Sequence, residues 1–199
     1  MKLAIDIDGV VAATEQEMIA TAKNRGMKLV FDQHHPLLDG VLCPDEIILG
    51  IVHFTLTHRT QFIKPYKEAL EFLPLMSKEI GPITFITARS DQYFDSTREW
   101  LDTHFKFSYT LISKESHDKP QFVLTEGFDA FIEDRLSTAN AAAEIGINTY
   151  LIDRQWNRGR ALHKNVKKVS SVGDVYTDLC YTVGRLNKGE ENGPEGCIS

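Results

Sequence analysis

Leu3, Ala4 and Ile5 form an unbroken apolar run that ends in Asp6, Asp8 and Gly9. Apolar at consecutive rather than alternate positions, such a run suits a strand covered on both faces, as in parallel sheets with helices on either side. The form recurs down the chain. Residues 83–86 lead into Thr87-Ala88-Arg89-Ser90, residues 109–112 make a third strand, residues 128–132 end at Glu133-Asp134-Arg135, and residues 148–152 end at Asp153-Arg154. Between these runs the apolar positions take helical spacing. Ala69, Leu70, Phe72 and Leu73 form one stripe before the Gly81-Pro82 stop, and Tyr93, Thr97, Trp100, Leu101 and His104 form another behind Ser90. Lys119-Pro120 opens a short helix that Gly127 ends, and Ser137 caps a small-residue helix over 139–145 that Gly146 stops.

Strands separated by helices of this length predict an α/β fold with a parallel sheet of about five strands, joined by right-handed crossovers. The polar strand ends then share one edge, where open sheets of this kind bind ligands. One stretch leaves the pattern. Thr14 is placed to cap a helix over 15–23 carrying Met18, Ile19 and Ala22, closed by Arg25-Gly26. Residues 27–42, with His34, His35, Pro36 and Gly40, read as an irregular connection, and Pro44-Asp45-Glu46 starts a helix bearing Ile47, Ile48, Ile51, Val52, Phe54 and Leu56. Residues 12–62 are therefore expected to be a small helical cap inserted after the first strand of a core made of 1–11 and 63–186. A last helix lies over 175–185, and residues 187–199, rich in Gly, Glu and Asn, read as a loose tail.

The chain has 199 residues, 42% hydrophobic and 25% charged, which is enough for a sizeable core plus an insertion. A formal charge of −6 argues against a broad surface for duplex nucleic acid, while leaving room for one small phosphorylated ligand held by local cations. Cys43, Cys180 and Cys197 are odd in number and widely spaced, so neither a disulfide framework nor a zinc site is expected. Met1 leads straight into the first strand and no apolar stretch reaches the ~20 residues that span a bilayer, so a cytoplasmic protein without a membrane segment is expected.

Asp6 and Asp8 at one strand end repel each other, and a hard cation such as Mg²⁺ would relieve that repulsion and draw in a phosphate. An EF-hand loop is the competing reading of Asp-x-Asp-Gly. It fails because Val10, Val11 and Ala12 follow, and no ligand pattern lies between Asp6 and Glu17.

Asp6-x-Asp8, Thr87, Lys119 and Glu133-Asp134, in that order at successive strand ends or helix starts, resemble the haloacid dehalogenase-like phosphatases. Within them, Asp6-Ile7-Asp8-Gly9-Val10, Ile86-Thr87-Ala88-Arg89, Ile132-Glu133-Asp134-Arg135 and the stretch from Leu151 to Arg158 are most similar to the 5′(3′)-deoxyribonucleotidase-type members. The resemblance implies a Rossmannoid three-layer sandwich and a Mg²⁺-dependent phosphomonoesterase. Its substrate would be a small phosphorylated molecule, in the first instance a nucleoside or deoxynucleoside monophosphate. A sugar phosphate or phosphoglycolate is the alternative substrate, and a non-catalytic phosphate-binding module the alternative role.

The same resemblance implies the site. Asp6 is the nucleophile that forms an aspartyl-phosphate, and Asp8 is the acid and base, its pKa raised by crowding and burial. Asp6, the Asp8 carbonyl and Asp134 would hold Mg²⁺, with Glu133 behind them orienting metal-bound water. Thr87, Ala88, Arg89 and Lys119 would bind the phosphate, Lys119 supplying fixed positive charge. For the cap, Phe54, Phe62 and Tyr66 are candidates for stacking on a base, with packing in the cap's own core as the competing role. His34, His35, His53 and His58 are assigned to the surface or to packing.

Overall fold

The opening apolar run, Leu3–Ile5 (β1), becomes an inner strand of a six-stranded parallel sheet. The computed structural model describes residues 1–31, 36–38, 41–42 and 45–187. The core continues from β1 through helix α3 (Lys67–Glu79) to strand β5 (Ile83–Thr87), helix α4 (Phe94–His104) and strand β6 (Tyr109–Ser113). Helix α5 (Lys119–Thr125), strand β7 (Ala130–Glu133), helix α6 (Leu136–Glu144), strands β8 (Thr149–Ile152) and β9 (Val166–Val169), and helix α7 (Val172–Asn187) complete it. The strand order is β6-β5-β1-β7-β8-β9, so β1 lies between β5 and β7, pairing Leu3 with Ile83 on one side and with Ala130 on the other.

Successive side chains of a strand point to opposite faces, and here both faces are covered. Leu3, Ile5, Phe85, Ile132 and Tyr150 pack with Leu73 and Met76 of α3, Trp100 and Leu101 of α4, and Val175 and Leu179 of α7. Ala4, Ile86 and Phe131 face the other way, onto Val123 of α5 and Ala142 of α6. The result is the expected three-layer α/β/α sandwich with every polar strand end at one edge.

The expected sheet lacks β9. Its sequence, Val166-Lys167-Lys168-Val169, has no apolar run, because it is an edge strand whose lysines point away from the core to pair with Asp178 and Asp153, each at 2.7 Å. In α3 the buried stripe is Ala69, Leu73 and Met76, while Leu70 is 42% exposed.

Residues between β1 and α3 form helices α1 (Thr14–Lys23) and α2 (Asp45–His58), as expected, together with three short strands where an irregular connection was expected. These strands, β2 (Leu29–Phe31), β3 (Pro36–Leu38) and β4 (Val41–Leu42), form a small antiparallel sheet. Met18, Ala22, Leu29 and Ile51 make a separate apolar cluster beneath it. The chain enters and leaves this insertion side by side: Ala12 bridges Pro65, Ala13 donates to the Lys64 carbonyl and Tyr66 donates to the Val11 carbonyl, both at 2.9 Å. Two crossings joined by backbone hydrogen bonds make a single narrow connection.

Three expected caps are absent as hydrogen bonds. Ala13, Ser90 and Arg135 occupy the positions before their helices without a side-chain cap, and Thr14 and Ser137 lie inside α1 and α6. Thr14 has another partner, described below. Among the described residues, no helix is long and apolar enough to cross a membrane, and Cys180 is a free thiol. His34, His35, Cys43, Cys197 and all of the expected tail except Asn187 lie outside the described residues.

Candidate active site

Two strand ends and one helix start bring three acids and a lysine together. Asp6 follows β1, Glu133 ends β7, Asp134 comes next, and Lys119 is the first residue of α5. Lys119 is 2% exposed, and its Nζ donates to Asp6 Oδ1 at 2.7 Å and to Glu133 Oε2 at 3.5 Å. One carboxylate oxygen from each of Asp6, Glu133 and Asp134 falls within 4.8 Å of the other two. Three buried acids therefore share one buried cation.

The electrostatics follow from that count. Burial, then the charge of Glu133, pushes Asp6 well above the usual carboxylate range, with Lys119 pulling the other way. Asp134 is raised in the same way by burial, Glu133 and Asp6. Glu133 goes down: burial opposes its charge, but Lys119, the Arg135 amide, which donates to Oε1 at 3.0 Å, and the side chains of Asp134 and Asp6 outweigh it; the Asp134 amide also donates to Oε1, at 3.1 Å. Lys119 is raised, because its acidic neighbours outweigh its burial. Glu133 is thus spent on Lys119 and two backbone amides. Asp6 and Asp134 are the acids left needing positive charge. An all-oxygen donor set with excess negative charge fits Mg²⁺.

Gly9 makes the close approach possible. Its φ is +78°, and a Cβ there would stand 2.1 Å from Asp134 Oδ2.

Thr87, at the end of β5, is buried, and its hydroxyl oxygen accepts from the Arg89 amide at 3.1 Å, leaving the O–H proton to donate elsewhere. Ala88 beside it is exposed. Arg89, expected to bind phosphate, points elsewhere. Its buried guanidinium donates to Asp8 at 2.7 and 3.0 Å, to Thr97 at 3.1 Å and to Thr14 at 3.2 Å. The Thr14 hydroxyl also donates to Asp8.

This clamp reverses the expectation for Asp8. Burial pushes its carboxyl up, but Arg89, through charge and hydrogen bonds, and then Thr14 and Lys119 bring it below the ordinary value. Crowding by other acids was the sequence argument for a raised value. A guanidinium paired face to face outweighs it.

The loop after β8 carries residues to which the sequence reading gave no role. Arg154 Nε donates to the Gly9 carbonyl at 2.7 Å, Trp156 Nε1 to Asp134 Oδ2 at 2.7 Å, and Asn157 Nδ2 to the carbonyls of Asp134 and Ile152, both at 2.7 Å. An Asp-Arg-x-Trp-Asn run at the end of a strand, on the edge shared with three other polar ends, was the available signal. The cap aromatics are each covered on one face by arginine: Arg25 over Phe54 at 4.1 Å, Arg59 over Phe62 at 4.0 Å and Arg154 over Tyr66 at 4.0 Å. His53 Nδ1 lies 2.6 Å from the Tyr93 hydroxyl, and the His58 ring packs on Phe54.

No protein-family model and no curated relative matches the chain. Solved structures do. A D,D-heptose 1,7-bisphosphate phosphatase from B. bronchiseptica, complexed with magnesium and phosphate, aligns with TM-score 0.57 and 11% identity over 92% of this chain and 99% of its own. CbbY from Rhodobacter sphaeroides, in complex with phosphate, gives TM-score 0.56 and 12% identity over 87% of this chain and 95% of its own. A HAD-superfamily hydrolase from Ehrlichia chaffeensis gives 0.54 and 11% over 92% and 97%. The fold is that of the haloacid dehalogenase-like hydrolases.

On this haloacid dehalogenase-like fold, the Trp156 indole fixes the rotation of the Asp134 carboxyl and touches the insertion through Phe31, ring centroids 5.8 Å apart. Partners of this kind are worth about 10–100-fold in metal affinity. Trp156→Phe, which keeps the ring contact and deletes the N–H, is expected to weaken Mg²⁺ binding by about that factor in a calorimetric titration, with little change in thermal stability.

Proposed function

We propose that this chain is a Mg²⁺-dependent phosphomonoesterase, with residues 1–11 and 63–186 as its catalytic core and 12–62 as its cap. The observation that carries the reading is Asp6 held at 2.7 Å by a buried lysine, with Asp134 close enough to share one cation and Thr87 at the neighbouring strand end. The similar folds from B. bronchiseptica and R. sphaeroides, complexed respectively with magnesium and phosphate and with phosphate, support it.

Lys119 occupies Asp6 Oδ1, so Oδ2 is the oxygen that attacks phosphorus. The Oδ2–P bond forms as the bond to the leaving oxygen breaks, and Asp8 gives that oxygen a proton. Arg89 lowers the pKa of Asp8, so Asp8 takes its proton from the monoanionic phosphate of the ester and passes it to the leaving oxygen. Asp8, ionised again, then takes a proton from water as the water attacks the aspartyl-phosphate. The Asp6–P bond breaks and phosphate leaves. Lys119, the Thr87 hydroxyl and the turn at Ala88 meet the phosphoryl oxygens where charge accumulates. Asp6, the Asp8 carbonyl and Asp134 would hold Mg²⁺, which would offset the acids' charge and that of the phosphate, while Glu133, taken up by Lys119 and two amides, keeps the lysine in place.

Nucleoside and deoxynucleoside monophosphates are the preferred substrates on the strength of the four motif stretches. Sugar phosphates are the second reading, favoured by the heptose bisphosphate phosphatase among the similar folds and by a variant CbbY in complex with xylulose 1,5-bisphosphate. Purified protein assayed on a panel of phosphate esters is expected to release phosphate in Mg²⁺ and to stop in EDTA. No release from any ester would overturn the reading. Turnover of sugar phosphates with nucleotides ignored would leave the chemistry and replace the substrate.

A further inference from the structure

Among the described residues, one buried side-chain polar atom has no hydrogen-bond partner, and it is Glu15 Oε2. Buried carboxylate oxygens are nearly always paired, so an unpaired one calls for a reason. Glu15 lies in the first turn of α1, directly after Thr14, whose hydroxyl donates to Asp8. Its other oxygen accepts from the Tyr66 hydroxyl at 2.7 Å. The two residues stand on opposite crossings of the connection between core and insertion, Glu15 past the outgoing one and Tyr66 on the return. Arg154 covers the Tyr66 ring, and the charges of Arg154 and Asp8 both act on Glu15.

The position decides what can satisfy the free oxygen. Asp8 is the group that meets the leaving oxygen of the ester, so a neighbouring acceptor faces the part of the leaving group next to that oxygen. A carboxylate there recognises a hydrogen-bond donor. Arg154 alongside already supplies that carboxylate with a cation, so the partner it lacks is a neutral donor, which in the esters of alcohols is a hydroxyl.

We infer that Glu15, fixed by Tyr66, is the residue that selects esters whose alcohol carries a second hydroxyl close to the phosphorylated carbon. Glycerol, sugars and nucleosides share that chemistry. Simple alkyl and aminoalkyl esters lack it. The inference rests on the phosphomonoesterase reading and narrows its substrate class.

Glycerol 3-phosphate, propyl phosphate and phosphoethanolamine separate the two, because all three present a primary ester on a short chain. The wild-type chain is expected to prefer glycerol 3-phosphate over propyl phosphate by at least about 10-fold in kcat/KM, as one hydrogen bond to a charged acceptor gives. Glu15→Gln, which replaces the free acceptor with a donor at constant shape, is expected to reduce that preference to about 3-fold or less. Tyr66→Phe, which frees Glu15 to rotate, is expected to fall between, and carries the test if the glutamine variant fails to fold. Equal use of the two esters by the wild-type chain, or an unchanged preference in the variants, would overturn the inference alone. Faster turnover of phosphoethanolamine than of glycerol 3-phosphate would overturn the hydroxyl assignment. No turnover of any of the three, nor of the wider panel, would overturn the phosphomonoesterase reading and the inference with it.

Discussion

An Asp6→Asn variant is expected to release no measurable phosphate, a loss of at least about 1,000-fold, and yet to unfold at a temperature no lower than the wild-type chain. The catalytic loss follows from the attacking atom: an amide cannot form the acyl-phosphate bond, and no other carboxylate at the strand edge is free to replace it. Glu133 is tied to Lys119 and two amides, Asp8 to Arg89 and Thr14, and Asp134 has one oxygen held by Trp156 and lies at the end of the next strand rather than beside Lys119. The stability expectation has the opposite sign because Asp6, Glu133 and Asp134 share only Lys119. Removing one of three like charges relieves repulsion that folding otherwise bears, as functional sites commonly do. Asn keeps an oxygen for Lys119 to donate to. Phosphate release and thermal unfolding in EDTA, measured on the same preparation, check both halves.

Lys119→Met is expected to lose activity and stability together. The ammonium is 2% exposed, and methionine fills its volume without its charge, so three buried acids are left with no cation among them. Removing one partner from a buried ion pair typically costs about 3–5 kcal/mol. For a chain of this size each kcal/mol shifts the unfolding temperature by roughly 2–4 °C. Mg²⁺ should recover part of the lost temperature in the variant by supplying the missing charge, and should raise the wild-type temperature less. A methionine variant as stable in EDTA as the wild-type chain would show that Lys119 does not neutralise the cluster. Opposite shifts for Asp6→Asn and Lys119→Met are what an electrostatic account requires, and a loss of packing alone would not produce them.

How much of this could be read from the residues depends on what each signal measures. Strands buried on both faces announce themselves as apolar runs, which is why β1, β5, β7 and β8 and the acids behind them stand out. β9 does not, because an edge strand buries little and its lysines serve surface ion pairs. The three strands of the insertion are two or three residues long, too short for any alternation to show. Thr14 is a cap by its type and a partner of Asp8 by its place, and only the fold brings residue 8 within its reach. Arg89 is the sharper case. Its type and its turn both suit phosphate, but the side chains of Asp8, Thr14 and Thr97 claim its three nitrogens. Sequence spacing says which groups share an edge, and it does not say which of them are already taken.

The position of β1 also sets when the pocket can come into being. The strand that delivers Asp6 is synthesised before its two neighbours, residues 83–85 and 130–132, and before the lysine that neutralises it, residue 119. Contacts so far apart in sequence form slowly and carry a high loop-closure cost. A chain emerging from the ribosome therefore holds that apolar segment with at most one of its two neighbours until residues 130–132 have been made. Truncations that end before β7 leave one edge of that segment unpaired, and they are the fragments to expect in inclusion bodies.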